Sequence, residues 1–486
     1  MISLNKFKLF DKSTKLSTPD FIKRVTLLSN LIYKFENRNQ NLILCIYNRS
    51  VNNIIIPFSI WKSKNIYLPV STDIPLKKLL SIIDEHNVRI IISDSINIKK
   101  FEIDKLDLKL INIDDCNAKI LSKRSNSSLN FNLNVENIAY CIFTSGSTGK
   151  PKGVQIKFSS FLSRIEWQKK TLNNNCDSFF LHKTPISFDV SLWEILLPAY
   201  CDSSVYVCDE KESIHPILLN SLINKYRVTD IHFIPSMLHN FLNFNKVLPK
   251  SILNIICSGE ELKPFHFNLL SDCSTLNLWN FYGPTETTID VLYYNVSLDF
   301  DYIKIPLGKC VDETDYKLLI HDENNCEQST YKLLISGNLL STGYLNDNLL
   351  TKEKFYSLDG ILYYDTGDLI TLSDNEIYFH SRVDNQIKLN GVRIEINEIE
   401  NALSKCLDNT FVIVVPIKTD GNKTILSAFI NCKPQKNEFL LQNFINYLDS
   451  AFFPKVILFS NTIPRLSNGK VNLKFIKERL TKISND

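Results

Sequence analysis

Thr144-Ser-Gly-Ser-Thr-Gly-Lys-Pro-Lys-Gly153 follows an apolar run, Ile138-Ala-Tyr-Cys-Ile-Phe143, that reads as a buried strand. Three glycines, four hydroxyl residues and two lysines in ten positions leave backbone N–H groups free to wrap a polyphosphate. Hydroxyls and ammonium groups would add charge-assisted hydrogen bonds worth roughly 1.5–3 kcal/mol each. Pro151 stands where a Walker A loop has Ser or Thr, so the loop is of another type. Composition alone also fits a flexible connector.

Around this loop, short apolar strands alternate with amphipathic helices. Leu42–Tyr47, Ile66–Val70, Val88–Ser93, Val205–Cys208, Asp230–Ile234 and Ile252–Cys257 read as strands. Asn52–Lys62, the stretch from Leu76 after Pro75, and Ile214–Lys225 read as helices. The alternation predicts an α/β fold with largely parallel sheets. Asp114–Asn134 is polar and aperiodic and reads as a surface connection. After residue 383 the pattern becomes two short strands, a helix over Glu398–Leu403, strands at Phe411–Val415 and Leu426–Asn431, a helix over Glu438–Ala451, and a final hairpin and helix. This predicts a large domain over 1–383 and a compact α+β domain over 384–486, its last dozen residues frayed.

The 486 residues carry a net charge of +3 with basic residues scattered among acids, which argues against a nucleic-acid surface. None of the twelve cysteines forms a C-x-x-C pair, and several sit in apolar runs, which fits reduced, buried thiols in a cytosolic protein. Neither a membrane span nor a signal peptide is legible.

Several further stretches admit a bland and a chemical reading. In Phe188-Asp-Val-Ser-Leu-Trp-Glu194, Ser191-x-x-Glu194 reads as a capping box, while a buried Asp189 would require a cation such as an amino acid's ammonium. In Asn280-Phe-Tyr-Gly-Pro-Thr-Glu-Thr-Thr288, Glu286 is a loop carboxylate or a hard oxygen ligand for Mg2+, and Tyr282 an aromatic face for a base. Asp368 in Tyr364-Asp-Thr-Gly-Asp368 and Arg382 form a turn and a surface ion pair, or hold a ribose. Lys470, in Ser467-Asn-Gly-Lys470, sits at a hairpin tip.

In their order along the chain, these stretches resemble the core motifs of nonribosomal peptide synthetase adenylation domains, within the adenylate-forming superfamily. The resemblance runs from about Leu42 to Ile476 and includes Leu68-Pro-Val-Ser71, Ile256–Glu261, Thr342-Gly-Tyr344 and Arg382–Glu400. It implies that an amino acid and Mg·ATP give aminoacyl-AMP and pyrophosphate, and that the aminoacyl group passes to the phosphopantetheine thiol of a carrier protein. By resemblance, Thr144, Ser145, Gly146, Ser147, Thr148, Gly149, Lys150 and Lys152 hold the phosphates, with Thr144, Glu286 and Lys470 in catalytic roles and Glu286 on the metal. Asn280, Phe281, Tyr282, Gly283, Thr285 and Phe379 surround the nucleotide, and Asp368 and Arg382 its ribose. The C-terminal domain would swing about a hinge at Asp384, carrying Lys470 in and out.

The resemblance also places an amino-acid pocket at Asp189, Val190, Trp193, His232, Ile256, Ser258, Phe281, Ile289, Asp290 and Lys470. Asp189 would take the ammonium and Lys470 the carboxylate. Trp193 and Phe281 shrink the cavity, while His232, Ser258 and Asp290 line it with hydrogen-bonding groups, a set similar to the family's L-serine pockets. Ser381 departs from the family, which has glycine there. No adjacent glycine pair occurs, so a carrier attachment site is absent from this sequence, which implies a stand-alone enzyme or an excised piece of a synthetase. An MbtH-like accessory protein is a further possible partner. The rival readings are a D-alanine–carrier protein ligase, another acid–thiol ligase, and a nucleotide-binding scaffold without activity.

Overall fold

The computed structural model describes residues 4–485 apart from 36–38, 117–133, 145–150, 246, 271–275, 323–328, 384–385, 390, 408–409, 420–423 and 466–470. The chain divides into two compact units. The larger comprises Met1–Thr72, Val88–Phe143 and Gly153–Val383; the smaller comprises Asp384–Asp486 with Asp73–Asn87 and Thr144–Lys152.

Two parallel-rich sheets dominate the first part of the chain, as the alternation of strands and helices predicts. One has nine strands, in the order Lys309–Cys310, Leu292–Val296, Asn277–Tyr282, Asn254–Cys257, Asp230–Phe233, Phe179–His182, Ser204–Val207, Lys8–Phe10 and Lys15–Leu16. Its central pairs are parallel, and antiparallel strands close both edges. The other has six, in the order Lys109–Asn112, Ile90–Ser93, Leu42–Ile46, Ile66–Pro69, Ile138–Thr144 and Lys152–Lys157. The strands Leu42–Ile46 and Ile66–Pro69 are almost wholly buried, which is why they read as unbroken apolar runs rather than alternating ones. A five-stranded antiparallel sheet follows, built from Thr314–Asp322, Thr330–Gly337, Phe355–Leu358, Ile361–Ser373 and Glu376–Arg382. The rhythm that announces the parallel sheets is absent there, and sequence reasoning did not resolve this sheet.

In the smaller unit, strands Val412–Lys418, Thr424–Ile430 and Val456–Phe459 pair in one sheet, and helices Ile396–Lys405 and Asn437–Phe444 contribute to its core. Three expectations need correction. The helix read as Ile214–Lys225 is Pro216–Tyr226, with Pro216 opening its first turn, and a separate short helix, Glu210–Ile214, precedes it. The helix read as reaching Ala451 ends at Phe444. The last dozen residues do not fray: Leu473–Asn485 is a helix whose Ile476 and Leu480 are buried in one cluster with Val415, Ile417 and Phe429. Of the surface connection Asp114–Asn134, residues 117–133 lie outside the described residues.

Among the described residues, no helix is long and apolar enough to cross a membrane.

Candidate active site

Three adjacent parallel strands set the site. His232 pairs in register with Ile256, and Ile256 with Trp279; the first two strands end level at Phe233 and Cys257, and the third runs two residues beyond Asn280, the partner of Cys257, to Tyr282. In open α/β sheets ligands bind beyond such carboxyl ends. Ser258, Phe281 and Tyr282 lie at or just past them, and all three are buried. His232 Nε2 lies 3.0 Å from Ser258 Oγ, and its ring meets Trp193 edge-on with centroids 6.4 Å apart. Burial, with the nearby Lys183 charge, pushes His232 down to about 3, so the ring is neutral. Its Nδ1 and Trp193 Nε1 are buried polar atoms with no hydrogen-bond partner among the described residues. Such orphans are rare in folded proteins and mark places where a partner is missing.

Asp189 caps the helix Val190–Tyr200, its Oδ1 accepting from the Val190 N–H at 2.8 Å. The expected capping box is not what Glu194 forms. Glu194 turns inward, fully buried, and accepts from Lys183 N and Thr184 N, both at 2.9 Å, and from Thr184 Oγ1 at 2.6 Å. His182 Nδ1 lies 3.1 Å away, with His182 Nε2 3.0 Å from Asn53 Nδ2. This network ties the end of the strand Phe179–His182 to the helix that begins at Asp189.

Asp189 is partly buried and has no ion pair among the described residues. Burial pushes its carboxyl up to about 7; the Thr285 hydroxyl and Val190 N–H oppose this, and the Asp290 and Glu286 charges add to it. Asp290 has a cation: Arg164 Nη2 lies 3.1 Å from its Oδ2, in a pair with side chains 0% and 3% exposed. Sequence reasoning missed Arg164. The signal was a basic residue within the buried stripe Phe161, Arg164, Ile165 and Gln168 of the helix Phe158–Thr171, where a guanidinium demands a buried acceptor.

The segment before Asp290 holds Thr288 and Ile289 in the left-handed region, at φ 58° and 77°. For a β-branched residue such as Ile289 this is strained backbone, of a kind that clusters at functional sites. Gly283 makes the approach possible: a Cβ there would lie 2.6 Å from Asp290 Cα and 2.7 Å from Ile289 O.

Glu286 is fully buried, and its Oε1 accepts from the Tyr344 hydroxyl at 2.7 Å. Among the described residues, no group of three or more His, Cys, Asp or Glu could hold a metal ion by itself. One hard carboxylate is nonetheless a fitting donor for magnesium, which takes one or two carboxylates and completes its shell with phosphate oxygens and water.

Asp368 accepts from Arg382 Nη1 at 2.5 Å and from the Tyr282 hydroxyl, and Arg382 Nη2 donates to Thr366 O at 3.2 Å. Asn280 Nδ2 donates to Pro306 O at 2.8 Å, and Phe379 is half-buried on the strand Glu376–Arg382. Thr144 Oγ1 lies 3.5 Å from Lys152 O in the smaller unit. Ser145, Gly146, Ser147, Thr148, Gly149, Lys150, Asp384 and Lys470 lie outside the described residues.

A family profile described as "AMP-binding enzyme" matches residues 4–345. The chain is similar to zwittermicin A synthase ZmaJ of Bacillus cereus, 30% identical over 506 residues, covering 96% of this chain and 94% of that protein. It is 26% identical to tyrocidine synthase 3 of Brevibacillus parabrevis over 465 residues, covering 94% of this chain but 7% of that much longer protein. Among solved structures, the Vibrio cholerae adenylation domain AlmE, in complex with glycyl-adenosine-5'-phosphate, superposes with a TM-score of 0.81 at 20% identity over 98% of this chain and 94% of that one.

Proposed function

Because the chain belongs to the AMP-binding enzyme family, as an AMP-forming amino acid adenylating ligase of the nonribosomal-peptide type, we propose that its amino acid is L-serine. The observation that carries the reading is Asp189, a carboxyl pushed up to about 7 beside two further carboxylates, which an α-ammonium would relieve. His232, Ser258 and Trp193 then receive the side-chain hydroxyl. Neutral His232 offers one donor and one acceptor nitrogen, and the unpartnered Trp193 Nε1 a further donor.

The nucleotide is ATP. Asp368, held by Arg382 and Tyr282, accepts the ribose hydroxyls, and the loop from Thr144 to Lys152 takes the β- and γ-phosphates. Glu286 is the protein's ligand to magnesium, which when bound neutralises phosphate charge. The serine carboxylate attacks the α-phosphorus, the bond to the bridging oxygen breaks, and pyrophosphate leaves. Lys470 stabilises the charge gathering there. Positioning and charge neutralisation supply most of the acceleration. The aminoacyl group then moves to the phosphopantetheine thiol of a carrier protein, with release of AMP.

ATP–pyrophosphate exchange across the proteinogenic amino acids tests this. Serine is expected to give the highest kcat/KM, with alanine lower by about 10⁴-fold because the pocket's polar groups stay unpaired. Threonine adds only a methyl group and is excluded by packing. Alanine or threonine activated as well as serine would overturn the assignment.

The pH profile follows from Asp189. The free enzyme must ionise this carboxyl to bind an ammonium, so kcat/KM for the amino acid should rise as pH increases towards about 7 and level off above it. Stability runs the other way. The folded carboxyl holds its proton more tightly than the unfolded one, moving from the ordinary 3.8 to about 7, so without amino acid this group destabilises the fold as pH rises through that window. Serine should therefore raise the thermal midpoint more at pH 8 than at pH 5. Equal shifts at both values would contradict the Asp189 role.

A further inference from the structure

We propose that Arg164 is a specificity-determining residue: by neutralising Asp290 it makes the pocket accept a neutral side chain and reject amino acids whose side chain carries an ammonium. This rests on the pocket reading given above, in which Asp189 and Asp290 both face the amino acid.

Arg164 is wholly enclosed. Its Nε donates to Asp290 O at 2.9 Å, Nη2 to Asp290 Oδ2 at 3.1 Å and Nη1 to Gln168 Oε1 at 2.8 Å. The guanidinium carbon lies 4.6 Å from the Trp167 ring centroid and 5.4 Å from that of Phe281. One side chain therefore fixes two pocket positions, Asp290 through two hydrogen bonds and Phe281 through its face. Stability alone does not account for it, because a buried ion pair is often no better than a well-packed apolar pair of the same volume.

Charge accounts for it better. Asp290 and Glu286 both act electrostatically on Asp189, and Arg164 is the guanidinium paired with Asp290. Without that cation, Asp290 and Asp189 would both bring negative charge to the pocket, which suits a substrate bearing two ammonium groups. With it, Asp290 is an acceptor whose charge is cancelled. A hydroxyl can still donate to such a group at small desolvation cost, whereas a second ammonium would be repelled by the guanidinium in a site of low effective dielectric.

The test measures kcat/KM in ATP–pyrophosphate exchange for two pairs that differ only in ammonium for hydroxyl. These are L-2,3-diaminopropionate against L-serine, and L-2,4-diaminobutyrate against L-homoserine. Arg164→Gln should raise the ammonium-over-hydroxyl ratio by about 30–100-fold, since like-charge repulsion of this kind is worth several kcal/mol. Arg164→Lys, which keeps the charge, should shift the ratio by less than about three-fold on the same basis. Asp290→Asn added to Arg164→Gln should abolish the gain. If Arg164→Gln lowers both members of each pair alike, Arg164 serves packing only and the inference fails. Should that variant not fold, Asp290→Asn alone decides: with Arg164 unpaired, the ratio must fall below wild type, and an unchanged ratio overturns the proposal. A wild-type enzyme that prefers another neutral amino acid would sink the serine reading, while the paired ratios would still decide the role of Arg164.

Discussion

Replacing Asp189 with alanine is expected to lower kcat/KM for the amino acid by about 10²–10³-fold while leaving ATP binding nearly unchanged. The carboxyl feels the charges of Asp290 and Glu286 and is pushed up to about 7, with Val190 N–H and Thr285 as its hydrogen-bond partners among the described residues. An ammonium that enters beside it gains a charge-assisted bond in a poorly hydrated site. Truncating one partner of such a pair costs about 2–5 kcal/mol, or roughly 30- to 5,000-fold. The loss should appear in KM for the amino acid and in calorimetric amino-acid affinity, with nucleotide affinity changed by less than about three-fold, because Asp368, Arg382 and Tyr282 are untouched. Asp189→Asn should fall between, since the amide oxygen can still accept but brings no charge. An alanine variant with unchanged amino-acid KM would mean that the ammonium is recognised elsewhere.

Glu194→Ala should destabilise the larger unit by about 3–5 kcal/mol, the usual result of removing one partner from a buried charged network. Its carboxylate terminates three hydrogen bonds from residues 183 and 184 and one contact with His182. All would be left without an acceptor in a space that water does not reach. Burial by itself would raise this carboxyl, yet the His182 hydrogen bond and the neighbouring Lys183 hold it down at about 2. Burial lowers His182, which fits a neutral ring whose Nε2 accepts from Asn53 while Nδ1 lies 3.1 Å from Glu194 Oε2. Since the folded value lies below the ordinary 4.5, the stabilisation is fully present above pH 4.5 and is lost as pH falls towards about 2. Thermal melts should show a drop of roughly 5–10 °C at pH 7, narrowing in acid. A variant as stable as wild type at pH 7 would show that the network contributes nothing net.

The stretches read as candidate site motifs are local ones. The loop from Thr144 and the turn at Gly283 each announce themselves within ten residues, whereas Asp368, read from sequence as part of a turn, lies within the strand Ile361–Ser373. What was not legible lies in pairings across long stretches of chain. Arg164 meets Asp290 at a separation of 126 residues, and Tyr344 meets Glu286 at a separation of 58. Glu194 illustrates the opposite error, in which a correct local pattern lost to a tertiary one. Ser191-x-x-Glu194 is a valid capping box, but the backbone N–H groups of Lys183 and Thr184 took the carboxylate instead. The fraying expected at the end of the chain failed for a similar reason: Ile476 and Leu480 find an apolar surface that no local pattern reveals.

The pairing of Lys8–Phe10 with Ser204–Tyr206 has a consequence for how the protein is made. The strand Lys8–Phe10 cannot pair with Ser204–Tyr206 until that neighbour, 196 positions later, has been translated. At about 5–20 residues per second that interval is roughly 10–40 s. Throughout it, Phe7, Leu9 and the helix carrying Phe21 and Val25 lack that neighbouring strand on the nascent chain. The newborn polypeptide is therefore a natural client for a holding chaperone, and yield in a cell should respond to chaperone supply more than the finished enzyme's stability would suggest.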